Sequence, residues 1–204
     1  MKKPLNLQRT LTDVEPYQSN WDHIFDELKR LDLLISRSVL KKRGSRSTDH
    51  LGQFRGLVLS DEEIDMILAD GKAGTERGQS TPTTDLAIQE SDESVRKLDN
   101  LMELRRAAAV QGGVYLALGH LAALFHLSPF EERCLILCLA PEIDRKYEKL
   151  YAYLQDDVTC KKPTVDLVFN LLCETVEERI LSRSIFDMRA PLLRYRLVCL
   201  SDDG

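Results

Sequence analysis

Between Leu127 and Cys173 the chain reads LSPFEERCLILCLAPEIDRKYEKLYAYLQDDVTCKKPTVDLVFNLLC, a run dense in helix starts and apolar faces. Ser128-Pro129-Phe130-Glu131 combines a Ser N-cap, Pro at the first helical position and Glu at the third. Each satisfies or removes an orphan amide donor of the first turn, and together they are worth about 1–2 kcal/mol. The helix predicted from there runs through CLILCLA and is interrupted at Pro141. A second, Asp144 to about Leu154, carries Tyr147, Leu150, Tyr151 and Leu154 on one face. A third spans Pro163 to Cys173, with Leu167, Val168, Leu171 and Leu172 apolar. Thr175-Val176-Glu177-Glu178 is a capping box that opens a fourth, to about Ser184.

Beyond these, Pro191 to Leu200 (PLLRYRLVCL) alternates Leu193, Tyr195, Leu197 and Cys199 with Arg194, Arg196 and Val198. That is a strand-like period, and it predicts a small β element. Short helices closed by a β segment are the layout of a winged-helix-like domain. The expected fold class is therefore mainly α: a helical bundle plus a winged-helix-like domain with a small C-terminal β element. Leu dominates the apolar content and favours helices, which agrees.

Upstream, residues 1–18 read as a flexible leader and 19–70 as an N-terminal helical segment. Trp21, Ile24, Phe25, Leu28, Leu31, Leu34 and Ile35 recur at helical spacing, with Asp22, Asp26, Glu27, Lys29 and Arg30 on the other face. The spacing predicts an amphipathic helix of about four turns, N-capped at Ser19 or Asn20 and ending in the solvated basic tract KKRGSRS, Lys41 to Ser47. Ser60-Asp61-Glu62-Glu63 is a capping box for a short helix that stops at Gly71. Residues 71–94, rich in Gly, Ser and Thr, read as a flexible linker or insertion. Residues 95–204 form the winged-helix-like domain, entered by a helix from about Glu93 to Gln111. After Gly112-Gly113, Val114 to Phe125 is a helix apolar nearly all round, hence buried.

Chemistry is hard to find in this chain. Gly71-Lys72 is followed by Ala73 and preceded by a helix, so it is no phosphate loop. The five cysteines are odd in number and form no CxxC; Cys134 and Cys138 read as core thiols rather than metal ligands. His120 and His126 read as structural. No nucleophile–base pair or metal cluster is legible, so the expectation is no enzyme activity, no catalytic residue and no bound metal or cofactor. No apolar run is long enough to span a bilayer and no signal peptide opens the chain, which predicts a cytoplasmic protein. The net charge of −5 argues against a dedicated nucleic-acid binder. So does the third helix, VDLVFNLLC, which has no Arg or Lys to reach phosphate or guanine.

What the caps do not explain is the cluster in LYAYLQDD. Acids at a helix C-terminus are mildly unfavourable, so Asp156 and Asp157 either pair with Lys161 and Lys162 or face a basic partner. Tyr147, Tyr151, Tyr153, Asp156 and Asp157, with Trp21 at the head of the first helix, are the candidate partner-binding residues.

Residues LSPFE, LAPEID, Tyr147 with LYAYLQDD, and PTVDL resemble the winged-helix-variant region that precedes the ATPase module of bacterial AAA+ ATPases encoded with phage-tail-like contractile injection systems. NWDHIFDELKRLDLLI, LSDEEID and PLLRYRLVCL extend the resemblance more weakly, leaving 71–94 as an insertion. The resemblance implies a non-catalytic adaptor or docking domain, with ATP and Mg belonging only to an ATPase module that follows it. It implies a protein partner, either an injection-system component or a substrate, together with contacts to its own ATPase module. The full-length protein would be hexameric and this part monomeric. No Walker A or Walker B motif lies in the chain. The alternative is a winged-helix nucleic-acid-binding module.

Overall fold

The computed structural model describes residues 14–46, 61–69 and 84–201. Most of the predicted leader, the Ser60 cap, the Gly71 stop and the first half of the predicted linker lie outside the described residues. The longest elements are α1 (Asn20–Arg46) and α3 (Thr84–Gln111); between them lies α2 (Asp61–Ala69). There follow α4 (Ala117–Phe125), α5 (Pro129–Ile143), α6 (Lys146–Leu154), α7 (Val165–Leu172) and α8 (Val176–Ser182). A 3-10 turn (Arg183–Phe186) and the one-turn α9 (Pro191–Arg194) complete it. The chain is mainly helical, as the sequence predicts, and no strand forms among the described residues.

Helix α1 begins where its cap predicts. Ser19 Oγ accepts from Asp22 N, while the Asp22 carboxylate accepts from Ser19 N at 2.9 Å. It then continues to Arg46, well past four turns, because the basic tract has partners. Lys42 Nζ donates to the carbonyls of Tyr153 and Leu154 at 2.7 and 2.9 Å, and Arg43 reaches Asp65. A solvated helix end is the sequence expectation for this tract; instead its Lys42 caps the end of α6.

Against α1 lies α3, antiparallel to it. Asp26 pairs with Arg105, Arg30 with Asp99, and Arg37 with Asp92, a ladder whose rungs descend one helix as they climb the other. Asp26, Arg30 and Arg37 are buried by this contact. The ladder reaches into residues 71–94, which read as a linker but are helical from Thr84 onward. Asp92 and Ser91 face α1 and bond Arg37 and the Leu33 carbonyl. The contact is polar, and a search for apolar periodicity passes over it.

The core is shared by α1 (Leu31, Leu34, Ile35, Val39), α5 (Leu137, Ala140), α6 (Leu150, Tyr151) and α7 (Leu167, Val168, Leu171). The end of the predicted leader is pinned as well. Tyr17 is fully buried, with the Arg105 guanidinium 4.2 Å from its ring centroid and the His23 ring 5.1 Å away.

Pro141 does not break α5, which runs on to Ile143. A helical proline leaves the carbonyl four residues before it without an amide donor. Here that carbonyl belongs to Leu137, and the buried Tyr151 hydroxyl donates to it at 2.8 Å. A side chain from α6 replaces the missing rung.

Helix ends are closed by equally local means. His126 at the end of α4 and Asp156 at the end of α6 both sit in the left-handed region, φ 56° and 55°. Leu127 N–H then reaches back to the Ala122 carbonyl and Asp157 N–H to that of Ala152, the six-to-one bond of a Schellman closure. Residue Leu116, at the N-cap of α4, offers no side-chain bond, so Asn20 of α1 supplies it: its Oδ1 accepts from Ala117 N–H at 2.8 Å.

The predicted β element is instead helical. Pro191 sits at the first position of α9, where its fixed φ suits a helix start and its missing N–H costs nothing. Arg196, with φ 56°, then closes the turn as Leu197 N–H bonds the Leu192 carbonyl. Of this segment Leu192 is the fully buried residue, off the alternating pattern that suggests a strand.

Candidate functional site

The tyrosines of LYAYLQDD are core residues. Tyr147, Tyr151 and Tyr153 are each no more than 1% exposed, so none can present its ring to a partner. Each hydroxyl ties α6 to a different helix. Tyr147 donates to the Leu28 carbonyl of α1 at 3.4 Å, Tyr151 to Leu137 of α5, and Tyr153 to the Asp61 carboxylate of α2 at 2.6 Å. Burial, above all, raises the pKa of all three, and nearby carboxylates or thiols raise it further. They are therefore donors throughout the neutral range.

Asp156 and Asp157 do not pair with Lys161 and Lys162 as expected. Asp156 meets Lys42 at 2.8 Å, so the cation that caps the α6 carbonyls also neutralises the acid beside them. Lys161 instead approaches Glu148 at 3.7 Å. Asp157 is exposed and folds back on its own turn, accepting from Thr159 N and Oγ1 at 2.8 and 2.7 Å, which holds its carboxyl below the usual range. Chain-end geometry accounts for both acids.

Trp21 is different. It is 60% exposed, and Phe25, one turn on, is 52% exposed, with ring centroids 6.2 Å apart. Both belong to the apolar stripe that periodicity predicts to pack inward. The rest of that stripe does pack inward, Ile24, Leu28, Leu31, Leu34 and Ile35 all being buried; its head, Trp21 and Phe25, is the part left open to solvent. The Asn20–Ala117 bond brings the head of α1 to the head of α4, where Tyr115, 63% exposed, stacks on the exposed His120 at 5.2 Å. Sequence reasoning does not pick out Phe25 and Tyr115 as surface residues, since periodicity alone cannot say which face of a helix another helix will cover.

Two other places bring chemistry-bearing residues together. A groove of about 290 Å³ between α1, α3 and α5 is lined by Glu27, Arg30, Asp99, Arg106, Glu132 and Arg133. Its cations are already matched: Arg106 bonds Glu132 at 3.0 Å, Arg30 bonds Asp99, and Arg133 lies 3.9 Å from Asp99. Burial, followed by the neighbouring Arg30, depresses the Arg133 pKa. The groove is thus a seam cross-linked through its three arginines, with Glu27 and Glu103 completing its charged lining. Cys134 and Cys138 are free thiols, Cys134 fully buried, and no group of metal-binding residues occurs among the described residues. No described helix is long and apolar enough to cross a membrane.

The third short helix of the C-terminal half, α7, has Leu167, Val168, Phe169 and Leu171 buried. Its polar members are occupied: Asn170 bonds Asp166, and Arg179 of α8 reaches both. Its sequence, VDLVFNLL, has no cation.

Comparison with curated proteins and with solved structures yields no match. A family model described as "Winged helix domain, variant" matches residues 7–204. A mainly helical chain with a run of short, capped helices, matched over nearly its whole length, belongs to the variant winged helix domain family.

Proposed function

We propose that this chain is a non-catalytic docking domain of an AAA+ ATPase linked to a contractile injection system, and that it works through protein–protein contacts. The observation that carries this reading is the contrast between two helices. In a winged helix that reads DNA, the recognition helix offers exposed polar and cationic side chains to the major groove. Here α7 buries half its residues and has no cation, while Trp21 and Phe25 at the head of α1 stand exposed. Aromatic side chains of that kind are enriched at protein interfaces, where they supply large contact area at low entropic cost. The resemblance of LSPFE, LAPEID, LYAYLQDD and PTVDL supplies the rest of the reading: a cytoplasmic protein, no catalysis or cofactor in this domain, and ATP and Mg bound by a separate module.

A photo-crosslinking residue at position 21, carried by the full-length protein in cells assembling injection particles, tests it. Adducts to a particle component, to its cargo or to the ATPase module are the expected result. Salt-sensitive binding of the purified chain to duplex DNA at physiological ionic strength, with no protein adduct at position 21, would favour the nucleic-acid reading and sink this one.

A further inference from the structure

The structure assigns a small cavity at the junction of α1, α3, α5 and α7 to a phosphate group. It adjoins the groove described above, shares Arg30, Asp99 and Arg133 with it, and holds about 100 Å³. Pockets that enclose drug-sized ligands run to roughly 300–1,000 Å³, so this one fits a charged group and not a whole nucleoside. Four arginines line it from three helices: Arg30 and Arg37 from α1, Arg96 from α3 and Arg133 from α5. Three acids stand among them, Asp92, Asp99 and Glu174, which leaves one positive charge in surplus.

Donors are left over as well. Arg37, its side chain 5% exposed, gives both terminal nitrogens to Asp92, Glu174 and the Leu171 carbonyl. Its buried Nε has no hydrogen-bond partner among the described residues, a costly state for a charged donor. Asp99 bonds Arg30 closely and leaves Arg133 at 3.9 Å. Arg96 has no ion pair among the described residues. A carboxylate takes one guanidinium fork in its own plane. Arginines converging from three helices suit a tetrahedral anion, whose oxygens point several ways. Glu174 is the acid such an anion displaces. Its side chain is 59% exposed, and it stands 3.3 Å from the Arg37 nitrogen that Asp92 meets at 2.8 Å. With Glu174 turned out to solvent the surplus rises to two, which matches the charge of about −1.5 to −2 on a phosphate ester at pH 7. The cavity is separate from the aromatic pair at the head of α1, so the assignment does not depend on the function proposed above.

Isothermal titration of the chain with inorganic phosphate, O-phosphoserine and acetate, at an ionic strength held constant with chloride, tests it. Saturable one-to-one binding of the two phosphates is expected, and none of comparable strength for acetate. Tighter binding of phosphoserine would identify the ligand as an esterified phosphate, and tighter binding of inorganic phosphate as the free ion. Arg96→Gln and Arg133→Gln alter side chains that reach solvent, so the helical circular dichroism should stay unchanged. Each should weaken binding by about tenfold, the loss of one hydrogen bond to a charged group. Glu174→Gln should tighten binding several-fold by removing the competing carboxylate, an effect that mere loss of a structural contact would not produce. A chain that binds neither phosphate saturably overturns the assignment. So does acetate binding as tightly as phosphate, or phosphate binding that Arg133→Gln and Glu174→Gln leave unchanged.

Discussion

Tyr151 is where one residue's chemistry explains another's tolerance. A proline inside a helix costs about 3 kcal/mol, part of it from the carbonyl it leaves unpaired. The Tyr151 hydroxyl removes that part by donating to the Leu137 carbonyl. Tyr151→Phe should therefore cost about 1–3 kcal/mol in urea unfolding, the penalty for a buried unsatisfied carbonyl. The same substitution in a Pro141→Ala background should cost clearly less, since an alanine there brings its own N–H; equal costs in both backgrounds would disprove the link. The buried tyrosines also set an alkaline limit. Tyr147 and Tyr151 have folded pKa values raised above the ordinary 10, chiefly by burial. Their contribution to stability is fully present below about pH 10, the unfolded value, and is lost as pH climbs from there towards the folded values. Alkaline titration followed by tyrosinate absorbance should show these two ionising only together with loss of helical signal.

Between elements, the decisive contacts are polar and distant in sequence. Arg37 bonds Asp92 of α3, Glu174 after α7 and the Leu171 carbonyl in the last turn of α7. Arg37→Met keeps the stem but releases all three and should destabilise the fold by about 1.5–3 kcal/mol, the range for hydrogen bonds to charged groups. Added salt should rescue little of it, because the guanidinium is buried. Asn20→Ala should cost about 0.5–2 kcal/mol in thermal or urea unfolding, a normal cap loss although the cap comes from another helix. These contacts also mark the boundary of what can be read in advance. Caps at Ser19, Ser128 and Thr175 lie within four residues of the amides they satisfy, and all three form where the sequence places them. The partners of Arg30, Arg37 and Lys42 lie 55 or more residues away, and no local pattern names them. Hence the start of α3 and the end of α1 escape a local reading, and PLLRYRLVCL suggests a strand that has no neighbour to pair with.

For the molecule as a whole, burial decides which residues remain available for contact. Of the six residues predicted to meet a partner, the three tyrosines go to the core and both aspartates to local or capping contacts. Trp21 alone of the six offers an exposed apolar surface, joined there by Phe25. Aromatic and acidic residue types suit an interface and a helix junction equally well, so composition cannot separate the two roles. Trp21→Ala with Phe25→Ala should change unfolding free energy by no more than about 0.5 kcal/mol, as exposed side chains do. Any loss of partner capture in that double variant would then report on contact rather than on folding.

The two cations that α1 sends to the ends of α6 and α7 also impose an order in time. The carbonyl capped by Lys42 is 111 residues further along the chain, and Asp92, the partner of Arg37 on α3, only 55. At a synthesis rate of about 5–20 residues per second, the first gap lasts on the order of 5–20 seconds and the second about half that. The newly made α1 therefore meets α3 well before α6 or α7 exists. The long antiparallel pair is the template that the growing chain completes, and the bundle closes on it from the C-terminal side.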